Sequence, residues 1–104
     1  MFYRYIYFKA PAHASGLIQQ AWCDISRYRA FDEVSAEPSD FKHELQRRIE
    51  STDGLVTWMD VLSNFTSIET LNRYTYKIDR LWRENLAASL PDLTRHVETF
   101  ETCV

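Results

Sequence analysis

The stretch Phe41-Lys42-His43-Glu44-Leu45-Gln46-Arg47-Arg48-Ile49-Glu50-Ser51-Thr52-Asp53-Gly54-Leu55-Val56-Thr57-Trp58-Met59-Asp60-Val61-Leu62 decides the fold. Phe41, Leu45 and Ile49 share one alternating face, while Lys42, Glu44, Gln46, Arg48 and Glu50 share the other. That is a strand with one wet face, placed at a sheet edge. Ser51-Thr52-Asp53-Gly54 is turn chemistry, with Gly available for positive φ. Leu55 to Leu62 returns as the partner strand, so residues 41–62 form a hairpin.

Upstream, Phe31 to Asp40 contains Glu-Pro-Ser-Asp and reads as a loop. Before it, Leu17, Ile18, Ala21, Trp22, Ile25 and Tyr28 recur at threes and fours, which predicts an amphipathic helix from about Ala14 to Ala30. Ser15 would cap it, although Pro11 leaves room for an earlier start. Phe2 to Lys9 is almost wholly aromatic or β-branched, a strand composition ended by Ala10-Pro11.

Downstream, Thr66-Ser67-Ile68-Glu69 fits a capping box, with a hydroxyl followed three residues on by Glu. Ile68, Leu71, Thr75, Ile78, Trp82 and Leu86 mark a long helix, and Leu90-Pro91 stops it. Leu93 to about Thr102 alternates again as a closing strand. The order is therefore strand, helix, strand, strand, helix, strand. This is an α+β, ferredoxin-like βαββαβ arrangement. Crossovers of one hand put both helices on one face of a four-stranded antiparallel sheet of order 4-1-3-2.

The chain has 104 residues, which suits a single domain over 1–104. Its formal net charge is -3, with 12 basic and 15 acidic residues, and no dense basic patch appears, so nucleic acid is not an expected partner. No apolar run approaches the roughly 20 residues of a membrane span. The first residues lack the basic and apolar regions of a secretory leader. Cys23 and Cys103 form neither a CxxC pair nor a disulfide framework. A cytoplasmic protein is expected.

Alternation sorts the strand side chains into two sets. The more apolar set is Phe2, Ile6, Phe8, Phe41, Leu45, Ile49, Leu55, Met59, Val61, Leu93 and Val97, and it is expected to face the helices. The other set is Tyr3, Tyr5, Tyr7, Gln46, Arg48, Val56, Trp58, Asp60, Leu62, His96, Glu98 and Phe100. No helix remains to cover this second face. A bare face with three Tyr, Trp58 and Phe100 implies an interface or a groove, and the simplest cover is a two-fold mate.

The Thr57-Trp58-Met59-Asp60 strand, the closing Arg95-His96-Val97-Glu98-Thr99-Phe100 strand and the aromatic first strand together resemble a small proteobacterial family of stand-alone proteins, a domain of unknown function. The resemblance covers nearly the whole chain. It implies a dimeric α/β barrel, a scaffold shared with cofactor-independent monooxygenases, haem-degrading enzymes and stress-response proteins. Such a scaffold does not choose among chemistries, and no catalytic residue of that wider group is matched here.

The candidate sites follow from the bare face. His96 and Glu98 are two apart on a strand and point the same way, as an acid/base pair would, or as a polar pair satisfying itself in an interface would. A metal needs a third ligand, but His43 is expected on the opposite face and His13 in a loop, so no metal is expected. Trp58 would stack on a planar ligand with Asp60 orienting it, or it would fill a dimer core with Asp60 paired to Arg48 or a Tyr hydroxyl. Tyr5, Tyr7 and Phe100 line the same ligand site or interface. Two glycines cannot build a phosphate loop, so no cofactor is expected. Two functions stay open. One is a homodimeric binding or structural module with an aromatic-polar cavity or interface between two sheets. The other is a small monooxygenase-like enzyme, without a cofactor, acting on an aromatic or hydrophobic substrate.

Overall fold

A computed structural model describes residues 1–28 and 41–103. The expected loop at 31–40 and the end of the first helix beyond Tyr28 lie outside the described residues. The elements are β1 (Phe2–Pro11), a 3-10 turn (Ala12–Ala14), α1 (Ser15–Tyr28), β2 (Lys42–Arg47), β3 (Leu55–Phe65), α2 (Ile68–Leu86) and β4 (His96–Glu101). The sheet order is β2-β3-β1-β4, with all three pairings antiparallel. This is the expected 4-1-3-2 order read from the other edge, and the fold is ferredoxin-like.

Local chemistry explains the boundaries. Asp53 (φ 56) and Gly54 (φ 73) are both left-handed, and Thr52 and Leu55 exchange both backbone hydrogen bonds around them, at 3.1 and 2.9 Å. That is the two-residue turn whose twist matches a hairpin. Arg48 N–H still bonds Thr57 O at 2.9 Å, so three residues, Ile49 to Ser51, oppose Val56 alone. They bulge out, which ends β2 at Arg47 and leaves Ile49 wholly exposed rather than in the core. A second irregularity lies between the Phe2–Phe65 and Arg4–Leu62 pairs. There Asn64 adopts φ 65, a conformation Asn tolerates better than most side chains, and Phe65 swings into the core.

Pro11 opens the helical segment through the 3-10 turn, so Ser15 is a helical residue and not the cap. The cap of α2 is Ser67, one place later than the capping-box reading, and its Oγ accepts from Thr70 N–H at 3.3 Å. α2 ends at Leu86, before Pro91. Leu90 N–H then bonds Leu86 O at 2.7 Å, and Leu93 N–H bonds Leu90 O at 3.2 Å. The chain thus wraps in turns before β4 begins at His96 rather than at Leu93.

The core lies between the sheet and the helices. It contains Ile6, Phe8, Ile18, Ile25, Phe41, Trp58, Leu62, Phe65, Leu71, Tyr74, Ile78, Trp82 and Leu86. Arg4 anchors α2 over β1 and β4: its guanidinium donates to Asn72 Oδ1 (2.7 Å), Thr75 Oγ1 (3.0 Å) and Thr99 Oγ1 (2.9 Å).

Candidate functional site

Directly paired residues in an antiparallel sheet share a face. The registers therefore place Tyr7 beside Met59 and His96, Tyr5 beside Val61 and Glu98, and Tyr3 beside Phe100. Gln46 pairs with Met59, and Glu44 with Val61. These residues make the face away from the helices. Its centre is Tyr3, Tyr5, Tyr7, Met59, Val61 and Phe100. Tyr5 and Phe100 meet edge to face at 5.6 Å between centroids. The flanks are polar, with Glu44 and Gln46 on β2, and His96 and Glu98 on β4. Tyr7 OH donates to Glu98 Oε2 at 3.1 Å. That bond, followed by burial and the charge of Glu98, holds the Tyr7 phenol above its ordinary value. A depression of about 260 Å3 lined by Tyr7, Gln46, Arg47, Arg48, Thr57 and Met59 opens at one corner.

The opposite face carries a buried polar network. His43 Nε2 donates to Asp60 Oδ1 at 2.7 Å, and His43 Nδ1 lies 3.1 Å from Tyr74 OH. Because the carboxylate side is the acceptor, the neutral ring carries its proton on Nε2 and accepts from Tyr74 at Nδ1. Asp60 Oδ2 accepts from Arg95 Nη2 at 2.8 Å. Arg95 also holds Asp79 Oδ1 through Nη2 (2.7 Å) and Nε (3.0 Å). Its guanidinium carbon sits 5.3 Å from the Phe8 ring and 5.5 Å from that of Trp82. Trp22 meets His43 edge-on at 4.7 Å. The network ties β2, β3, α2 and the lead-in to β4 into one unit. His43 and Asp60 side chains are 1% and 0% exposed, so neither meets a substrate in this conformation.

The structure divides the expected site. Tyr5, Tyr7, His96, Glu98 and Phe100 do share the helix-free face. Trp58 and Asp60 do not: they pair with Phe8 and Ile6, face the helices and are buried. The face assignment of β3 is thus corrected. Met59 and Val61 lie on the bare face, while Val56, Trp58, Asp60 and Leu62 point into the core. Leu55 and Val97 were also expected in the core and are 37% and 51% exposed. Asp60 pairs with neither Arg48 nor a Tyr hydroxyl but with His43 and Arg95. Trp58 instead lies under Arg47, whose guanidinium carbon is 5.6 Å from its ring.

The sequence reading missed His43 and Arg95 as partners of Asp60. The signal was the hairpin itself. A turn joining Glu50 to Leu55 sets odd positions of the first strand against even positions of the second. Leu45 then shares a face with Asp60, as observed, and His43 lies two residues from it on that same face. Among the described residues, no three His, Cys, Asp or Glu side chains gather as a metal would need. Cys23 and Cys103 are both free and exposed.

No protein-family model matches the chain, and no curated protein matches it. Solved structures do. A de novo designed protein with a ferredoxin fold is 12% identical, covers 98% of this chain and 87% of its own, and superposes with a TM-score of 0.62. A Caulobacter crescentus protein, named as a candidate antibiotic biosynthesis monooxygenase, is 10% identical over 99% of this chain and 90% of its own, with a TM-score of 0.61. SnoaB, a cofactor-independent oxygenase from Streptomyces nogalater, is 16% identical over 97% and 91%, with a TM-score of 0.51. At such identities the likeness is one of fold. Among the described residues, no helix is long and apolar enough to cross a membrane.

Proposed function

We propose that the chain acts as a cytoplasmic homodimeric binding or structural module in which two helix-free sheet faces meet. The observation that carries this reading is the contiguous set Tyr3, Tyr5, Tyr7, Met59, Val61 and Phe100 on a face that no helix among the described residues covers, flanked by polar side chains. An apolar centre within a polar rim is the anatomy of a protein interface. Four strands about 4.8 Å apart and several residues long span roughly 500 Å2 in projection, the size of the largest patches on monomers, which often serve a function. Residues 1–104 would act as one domain.

Sedimentation equilibrium tests the reading. A dimer is expected at micromolar concentration, and Tyr5→Glu should yield a monomer with unchanged helix content by circular dichroism. A wild-type monomer at hundreds of micromolar would remove the proposal.

A second reading, a small enzyme acting on an aromatic or hydrophobic substrate, draws support from one observation. The hydrogen-bonded pair Tyr7–Glu98 sits beside His96 on the same face, where it would manage a proton between the sheets. Trp58 and Asp60 take no part in it. A thermal-shift screen of aromatic metabolites, haem and flavins decides the matter. Stabilisation abolished by His96→Ala supports the enzyme, and a flat screen removes it.

A further inference from the structure

The three strand registers turn the helix-free face into a grid. Two of its rows cross all four strands. One holds Glu44, Val61, Tyr5 and Glu98; the next holds Gln46, Met59, Tyr7 and His96. The two inner strands supply the apolar and aromatic centre of both rows. The two outer strands supply the polar ends, and they do so unevenly: both carboxylates lie in the first row, the amide and the imidazole in the second. Glu44 and Glu98 are three strand spacings apart, about 14 Å, so they do not meet within one chain.

His96 is the unfinished member of this face. It stands opposite Tyr7, yet Tyr7 OH donates to Glu98 Oε2, at 3.1 Å. Among the described residues His96 makes no hydrogen bond or ion pair, and Glu98 Oε1 has no donor. An imidazole donates to a carboxylate whether it is neutral or charged. The two groups complement each other and stay apart in the single chain.

A second copy brings them together in one orientation. Two sheets stacked face to face keep their strands roughly aligned, and a two-fold axis makes every contact occur twice. With the axis along the strands, β2 covers the partner's β4, and Glu44 falls on the partner's Glu98. With the axis across the strands, each strand covers its own copy. An axis through the first row then sets Glu98 on the partner's Glu98. An axis through the second row sets His96 on the partner's His96, and it lays Tyr5 and Val61 over the polar Lys9–Thr57 pair of the following row. An axis between the rows sets Tyr5 on the partner's Tyr7, Val61 on the partner's Met59, and Glu98 on the partner's His96. Of these four placements, this one joins apolar to apolar and acid to imidazole. Its cost is Lys42 near the partner's Arg48 at the outer corners, where both side chains are exposed and charges interact weakly. Two faces of roughly 500 Å2 bury about 1,000 Å2 in projection, the lower end for a specific interface, so the polar ends weigh in the choice of orientation.

We propose that two copies dock by their helix-free faces about a two-fold axis running across the strands between these two rows, so that His96 of each copy donates to Glu98 of the other and completes the Tyr7–Glu98 pair across the interface. This rests on the homodimer reading above and adds to it the orientation and the residue each copy contributes.

Cross-linking reads the orientation. Cys23 and Cys103 are exposed, so the background is the whole chain carrying Cys23→Ser and Cys103→Ser. Separate preparations of Glu44→Cys and Gln46→Cys are mixed and treated with a short bis-maleimide; each variant alone sets the background. The expected result is a covalent dimer from that mixture and none from Glu44→Cys mixed with Glu98→Cys. Sedimentation equilibrium reads the contact. His96→Glu should raise the dissociation constant about tenfold, because it sets carboxylate against carboxylate at two symmetric places. Adding Glu98→His to it should restore the constant to within about threefold, the sign of a direct pair. Cross-links from the Glu44→Cys and Glu98→Cys mixture or from Glu44→Cys alone, or no cross-link at all in samples that sediment as dimers, overturn this docking and leave the dimer standing. So does a constant unchanged by His96→Glu or not restored by the exchange. A wild-type chain that sediments as a monomer at hundreds of micromolar overturns both the docking and the dimer.

Discussion

Asp60→Asn is the most informative single perturbation of the buried network. The substitution keeps the side chain's size and removes its charge. The carboxylate uses both oxygens, one toward His43 at 2.7 Å and one toward Arg95 at 2.8 Å, at zero exposure. An amide has one oxygen to offer, so its NH2 must face either the imidazole or the guanidinium. Facing Arg95 sets donor against donor. Facing His43 forces the ring to its other tautomer and reverses the bond to Tyr74. In both cases the negative charge facing Arg95 is lost. Breaking a buried ion pair costs about 3–5 kcal/mol. Arg95 keeps Asp79, so the lower end applies, about 3 kcal/mol. With 1 kcal/mol moving the Tm of such a domain by roughly 4–8 °C, the fall should be about 12–24 °C. Urea unfolding followed by Trp fluorescence measures it. Arg95→Met in the same background should give a coupling of about 1–2 kcal/mol, because the two groups touch. A loss under about 1 kcal/mol, or strictly additive effects, would refute the claim that this contact holds β3 to the lead-in of β4.

Other outcomes follow from the same geometry. Tyr7 has its folded-state value raised by Glu98; its contribution is therefore present below the ordinary tyrosine value of about 10 and is lost as pH rises through the folded value. Absorbance titration should show one tyrosine ionising late, and Glu98→Gln should move it back down; an unmoved curve would count against the bond. Gly54→Ala places a Cβ at φ 73 and should cost about 1 kcal/mol in chemical unfolding, since a left-handed residue with a side chain is strained. Ser67→Ala removes the α2 cap and should cost about 1 kcal/mol, with Thr70→Ala in the same turn as a control that leaves the cap in place.

Several features of this chain are set locally, and the sequence by itself determined them. The aromatic and β-branched composition of Phe2–Lys9, and the apolar period near 3.6 in Ile68–Leu86, name their elements without reference to anything distant. Asp53-Gly54 names its turn because few other pairs accept two positive φ values. With those elements in order, the handedness of crossovers leaves one sheet topology, and that topology is what the chain adopts. The gathering of Tyr5, Tyr7, His96, Glu98 and Phe100 on one face was legible for the same reason.

The tertiary structure decided which way β3 faces. Ranked by hydropathy, Leu55, Met59 and Val61 outweigh Trp58 and Asp60, so composition sends the aspartate outward. The fold sends it inward, because the hairpin register pairs Leu45 with Asp60 and because His43 and Arg95 wait there. A buried carboxylate is affordable only with partners that donate to it, and here the imidazole comes from residue 43 and the guanidinium from residue 95. No local pattern announces a partner 35 residues away. The same holds for a hollow of about 210 Å3 lined by Trp82, Leu86, Leu90 and Leu93, whose walls meet only after α2 ends early and the chain turns back through Leu90 and Leu93.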